Sequence, residues 1–231
     1  LKAPERGGRT GRAPRTRGGW RARAAMGLVC CKPETDQNKQ VWIDGKLAAG
    51  RILGKPLEYS ISIDKPMGSS LGLELDCAGP GIPRVIKVHP RSLIEEYNGK
   101  VHDGETVRRE DFLVEVNGVR GDTQSMLYQA STARTLNLGF RRPLMFEIPL
   151  AKSNETFGME ISHHFASNSL IIQKLHKDAP LEQWNDIHAE MQVLPGDFIV
   201  QVNGCDGKAE ELLAMLQVSE YIRLLVVRPR A

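Results

Sequence analysis

From residue 57 onward, apolar and polar residues alternate in short runs separated by turn-forming residues. Tyr59, Ile61 and Ile63 occupy every second position, as do Leu71, Leu73 and Leu75, and such alternation predicts strands with one buried face. Val85, Ile86 and Val88 predict a third short strand. Ser92 opens a short helix carrying Leu93, Ile94 and Tyr97. Phe112, Val114 and Val116 alternate up to Asn117-Gly118, a dipeptide favoured in tight hairpin turns. Asp122 is placed to cap a helix with Met126, Leu127 and Ala130 on one apolar face. Leu136, Leu138 and Phe140, or Leu144, Phe146 and Ile148, supply further strands. Five or so strands with two helices predict a small, mainly antiparallel sandwich or barrel.

The pattern then repeats. Glu110–Gly118 (EDFLVEVNG) matches Gly196–Gly204 (GDFIVQVNG), and Ser70–Leu75 (SLGLEL) matches Thr156–Ile161 (TFGMEI), both at an offset of 86. Arg142-Pro143 and Arg228-Pro229 share that offset, while VIKVH at Val85–His89 meets IQKLH at Ile172–His176 at 87. Matches kept in order at a fixed spacing indicate two copies of one unit. The expected organisation is a leader over 1–25, an anchor and tether segment over 26–56, and two domains over 57–143 and 144–231.

A strand, an x-φ-G-φ loop, a short helix, a G-D-x-φ-x-x-V-N-G strand and turn, a second helix and a last strand resemble the PDZ family. The most specific stretch is Pro195–Gly204. The first copy departs from it with Glu110 in place of the glycine before Asp111. The resemblance implies two PDZ-like, partly open β-sandwich or barrel domains in tandem. It also implies a peptide groove in each, formed by Ser70, Leu71, Gly72, Leu73, Thr123 and Leu127 in the first and by Thr156, Phe157, Gly158, Met159, Ala209 and Leu213 in the second. Glycine at the loop can turn successive N–H groups toward one point, a nest for a C-terminal carboxylate, while the tail adds as a strand to the sheet edge. No His stands at Thr123 or Ala209, so a Ser/Thr preference two residues before the ligand's end is not expected. Ala209 suits an apolar residue there.

Charge changes the picture only at the start of the chain. The formal net charge is +3, which by itself raises nucleic acid or an anionic membrane as partners. Residues 1–25 carry eight basic residues and one acid, and the remaining 23 basic and 27 acidic residues leave the body at −4. The Arg/Gly/Ala-rich leader has too few apolar residues to build a core. It reads as a disordered tail or upstream stretch, with a transit peptide and an RGG-like nucleic-acid tail as alternatives. Next come Met26-Gly27-Leu28-Val29-Cys30-Cys31. With translation starting at Met26, Gly27 is a candidate for myristoylation and Cys30 and Cys31 for palmitoylation, and two or more chains anchor stably. A Cys stands at position 31, where the usual signal favours Ser or Thr. Residues 34–56 read as a tether.

Rival chemistry finds little support. Gly68-Ser69-Ser70-Leu71-Gly72 matches GxSxG, but a nucleophile elbow must run from strand into helix, and here a strand is predicted to follow. His163-His164 would point to opposite faces of a strand, and no CxxC supports zinc. Four scattered cysteines suggest reduced thiols. The expectation is a non-catalytic adaptor without cofactor or metal, on the cytoplasmic side and tethered by acyl groups. It would bind protein C-termini or internal extended peptides, with nucleic acid not expected. The alternatives are a lipid-binding peripheral or dimerising structural protein, or nucleic-acid contact through the leader.

Overall fold

Alternation along the chain becomes two antiparallel sheets. The structure, a computed structural model, describes residues 42–43, 46–47, 49–77 and 82–229. The two-residue strands β1 (Trp42–Ile43) and β2 (Lys46–Leu47) pair with each other, and β3 spans Arg51–Gly54. There follow β4 (Leu57–Asp64), β5 (Leu73–Asp76), β6 (Arg84–Val88), α1 (Leu93–Asn98), β7 (Phe112–Val116), β8 (Val119–Arg120), α2 (Thr123–Thr132) and β9 (Thr135–Arg142). The same order returns as β10 (Leu144–Ala151), β11 (Met159–Ser162), β12 (Leu170–Leu175), α3 (Pro180–Ile187), a 3-10 turn at Ala189–Met191, β13 (Phe198–Val202), α4 (Ala209–Val218) and β14 (Tyr221–Arg228). The molecule is mainly β with short helices. One sheet runs β4-β9-β7-β6-β5, with β8 on β7, and the other β11-β12-β13-β14-β10-β3.

The repeat extends to irregularities of the ladders. Register shifts fall between Glu74 and Leu75 and between Leu113 and Glu115, and again between Glu160 and Ile161 and between Ile199 and Gln201. A bulge inverts which face later side chains occupy. The expected alternation of Phe112, Val114 and Val116 toward one core is therefore corrected. Leu113 and Val116 enter the core of the first half, while Phe112 and Val114 face the opposite way. They meet their repeat equivalents Phe198 and Val200, together with Leu225 and Val227, in a third cluster between the sheets. Phe112 and Phe198 lie 6.0 Å apart between ring centroids.

Side chains shared by the copies explain the repeated motifs. Asp111 bonds the Arg108 amide and Arg142, and Asp197 bonds the Leu194 amide and Arg228, which accounts for the paired Asp and Arg-Pro positions. Asn98 closes a two-bond ring with the Val107 backbone, as Asn185 does with Val193. The hairpin turns place Asn117 and Gly118 at φ 50° and 82° and Asn203 and Gly204 at 55° and 75°, the left-handed pair that a two-residue turn requires.

Two features depart from expectation. Residues 51–54, read as tether, form a strand on the outer edge of β10, with Ile52 opposite Phe146. Sequence pattern could not show this, because a four-residue strand is too short to declare a period. Of the described cysteines, Cys77 is a free, exposed thiol, whereas Cys205 is buried and disulfide-bonded. The reading of reduced thiols therefore fails at Cys205. Linear spacing does not reveal which distant sulfurs meet. Gly27, Cys30 and Cys31 also lie outside the described residues.

Candidate functional site

The sheets end in β4 and β5 and in β3 and β11, and of these edge strands β5 and β11 are repeat equivalents. Among the described residues β5 pairs only with β6 and β11 only with β12. Each therefore presents one row of backbone donors and acceptors without a strand beside it, and such a row is a template for an added strand. Each edge strand is entered through a left-handed glycine, Gly72 at φ 78° and Gly158 at φ 84°.

Conformation and packing both demand glycine there. A Cβ on Gly72 would stand 2.0 Å from Cβ of Ser92, and one on Gly158 would stand 2.2 Å from Cβ of Ala179. Ser92 and Ala179 are the N-cap residues of α1 and α3, so the loops are pressed against the starts of these helices. The Ile94 amide donates to the Leu71 carbonyl at 3.2 Å and the Leu181 amide to the Phe157 carbonyl at 3.1 Å, while His89 and His176 amides donate to the Gly72 and Gly158 carbonyls. Inside each loop the hydroxyl two residues earlier accepts the glycine amide, Ser70 Oγ at 3.1 Å and Thr156 Oγ1 at 3.0 Å. These two amides are thus already engaged by their own loops, which narrows the nest expected from sequence.

The predicted groove residues divide into three sets. Leu71, Leu73 and Met159 are half-buried against the core clusters, and Ser70 and Thr156 are exposed. On the helices, Thr123 and Leu127 are half-buried, and Leu213 packs on the second core. Phe157 and Ala209, however, are 5% and 1% exposed. Neither is open to a ligand side chain. For Ala209 the cause is local: the β11–β12 loop reaches over the start of α4, and the Ser167 carbonyl accepts the Ala209 amide at 2.9 Å. The sequence offered no sign that this loop would fold back.

Charged residues line the outward side of both edges. Glu74 faces Lys87 across the ladder with His89 at 3.7 Å, and Glu160 faces Lys174 at 3.2 Å and His176 at 3.0 Å. The hydrogen bond from His176, followed by that from Lys174, holds the Glu160 carboxyl below its ordinary range. The GxSxG loop runs from Ser70 into strand β5 rather than a helix, and Ser70 Oγ is an acceptor for Gly72. Desolvation, and secondarily Asp76, push the Cys77 thiol up, opposite to what an activated thiolate needs. Among the described residues no group of three or more His, Cys, Asp or Glu could hold a metal, and no helix is long and apolar enough to cross a membrane.

Comparison with known proteins adds a modest likeness. The chain overlaps tandem PDZ structures. One is INAD PDZ45 in complex with NORPA CC-PBM, at 15% identity and a TM-score of 0.30, covering 77% of this chain and 93% of that one. Another is INAD PDZ45 in complex with an NG2 peptide, at 16% identity and the same TM-score, covering 77% and 91%. No protein-family model matches, and no curated protein does. At this TM-score the overlaps carry no weight beside the chain's own geometry.

Proposed function

We propose that this chain is a non-catalytic, tandem PDZ-like adaptor, with units over 57–143 and 144–231, that captures extended tails of partner proteins. The observation that carries the reading is the pair of repeat-related edge strands. β5 and β11 are each open on one side and each entered through a left-handed glycine loop. An extended chain laid against such an edge gains backbone hydrogen bonds, and its alternate side chains meet the half-buried residues of strand and helix. Leu73, Leu75 and Leu127 would serve the first groove, and Met159, Ile161 and Leu213 the second. Two grooves on one chain would raise the avidity for a bivalent partner whose tails span both. Acylation at Gly27 together with Cys30 or Cys31 would add a membrane tether, and mass spectrometry of the cellular N-terminus checks it: an unmodified Gly27 excludes myristate.

A C-terminal peptide array on the full chain, followed by titration calorimetry, tests the tail reading. Peptides that bind should lose at least about tenfold in affinity when alternate backbone amides are N-methylated, because strand addition depends on those donors. Methylation in the other register should be tolerated. Equal tolerance of both patterns, or an array without any binder, would sink the reading.

A further inference from the structure

The two groove helices begin differently. In the first half, α2 supplies its own cap: Asp122 accepts the Gln124 amide at 3.1 Å and the Ser125 hydroxyl at 2.5 Å. In the second half, α4 follows Lys208, whose side chain has no oxygen to offer an amide. The local help at this end is the Glu211 carboxylate, which accepts the Lys208 amide at 2.9 Å. The first amide of α4, at Ala209, is satisfied instead by the Ser167 carbonyl, 2.9 Å away in the β11–β12 loop.

That loop is held by the other half of the molecule. Asp76 ends β5, and its Oδ2 accepts the Ser167 hydroxyl at 2.8 Å and the Asn168 amide at 3.1 Å. The Ser167 hydroxyl also lies 3.0 Å from that of Ser169 and accepts the Ser169 amide at 3.1 Å. Behind Asp76, Arg84 donates to the carboxylate at 3.0 Å and to Glu110 with its second nitrogen. These polar side chains are almost wholly enclosed, with Asp76 at 7%, Arg84 at 2%, Glu110 at 4% and Ser167 at 3% exposure. Water is therefore poorly placed to substitute for any of these bonds.

We propose that Asp76 and Ser167 are positioning residues for the second groove: through them, the first half of the chain holds the opening turn of α4 in place. The proposal rests on the reading of β11 and α4 as a tail-binding groove. It makes the shape of that groove conditional on the docking of the two halves, and it ties the end of the first groove's edge strand to the wall of the second.

Amide hydrogen exchange on the full chain tests it without any ligand. Ser167→Ala removes the hydroxyl bond to Asp76 and leaves the Asn168 amide bond and the Asp76–Arg84 pair in place. Exchange over 209–212 should quicken about fivefold, the scale of a lost helix cap, with α2 unchanged. Adding Lys208→Asp gives α4 a local cap for the amides of residues 210 and 211 and should return their exchange toward the wild-type rate. Asp76→Asn keeps an acceptor oxygen, so it should produce a smaller increase that Lys208→Asp also cancels, and it serves where Ser167→Ala folds poorly. Unchanged exchange in α4, equal acceleration of α2 and α4, or failure of Lys208→Asp to rescue would overturn the proposal. A peptide that binds the second groove of the wild type should bind Ser167→Ala more weakly and the rescued double variant normally. If no array peptide binds the wild type, the groove reading fails while the exchange result still decides the positioning role.

Discussion

At the scale of single residues, backbone conformation and buried charge explain where the copies agree and where they differ. Gly196 sits at φ 93° and its counterpart Glu110 at φ 74°, so the first copy places a side chain where a left-handed backbone costs on the order of 1 kcal/mol. Glu110 offsets this by reaching Arg84 and Arg109 in the buried network. Replacing Glu110 by Ala removes the ion pair and keeps the strain, whereas Gly removes both. Urea unfolding should rank Glu110→Ala below Glu110→Gly by about 1 kcal/mol, with both below wild type because Arg84 loses a buried partner. Gly72→Ala and Gly158→Ala should each cost about 2–4 kcal/mol from strain and overlap together, measured in the same way. Loss of binding in those variants would consequently say little about the groove, whereas backbone-modified peptides leave the protein intact. Tyr59 adds a pH signature. Burial, then the charge of Asp111, raises its phenol far above 10.0. The unfolded chain thus loses that proton first, and stability present below pH about 10 falls as pH rises beyond it. Tyr59→Phe should flatten the decline in unfolding free energy above that pH, although it also lowers stability at neutral pH by removing the bond to Asp111.

At the scale of elements, the edges of the sheets govern behaviour. β5 and β11 stay open, while β10 is covered by β3 through the pairs Met145 with Gly54, Phe146 with Ile52 and Glu147 with Arg51. The Glu147 carboxylate ties Arg51 Nε at 2.8 Å, and Trp184 leaves no space for a Cβ at Gly50. β3 leads through Lys55 and Pro56 directly into β4 of the other sheet. A variant with residues 49–54 replaced by a Gly/Ser linker should expose the β10 edge and self-associate at raised concentration, visible as a mass increase in light scattering. A strictly monomeric variant would show that β3 is dispensable as an edge cover.

At the scale of the whole molecule, the sheets are joined by an apolar centre and a polar rim. Phe112, Val114, Phe198, Val200, Leu225 and Val227 form the centre. Arg84, Asp76, Glu110 and Ser167, with the Arg109–Asp206 pair, stand beside it. Only Pro143 separates β9 from β10. A core this closed should make the halves unfold together. Phe198→Ala, which removes a large buried side chain, should cost about 3–5 kcal/mol and split the single calorimetric transition into two. Retention of one sharp transition at unchanged temperature would contradict a cooperative interface.

The repeat, the strands and helices, the caps at Ser92 and Asp122 and the glycines of both loops are legible in the sequence, because each follows from local periodicity or from the backbone demands of one residue type. The bulges are not legible, since a register shift depends on the strand alongside, and with them went the recognition that Phe112 and Phe198 face each other. Nor could a linear reading show that Ala209 is covered, that β3 joins the second sheet or that Asp76 braces a helix in the other half. Those features rest on which distant backbone and side-chain groups come into reach, and only the packing of the two sheets decides that.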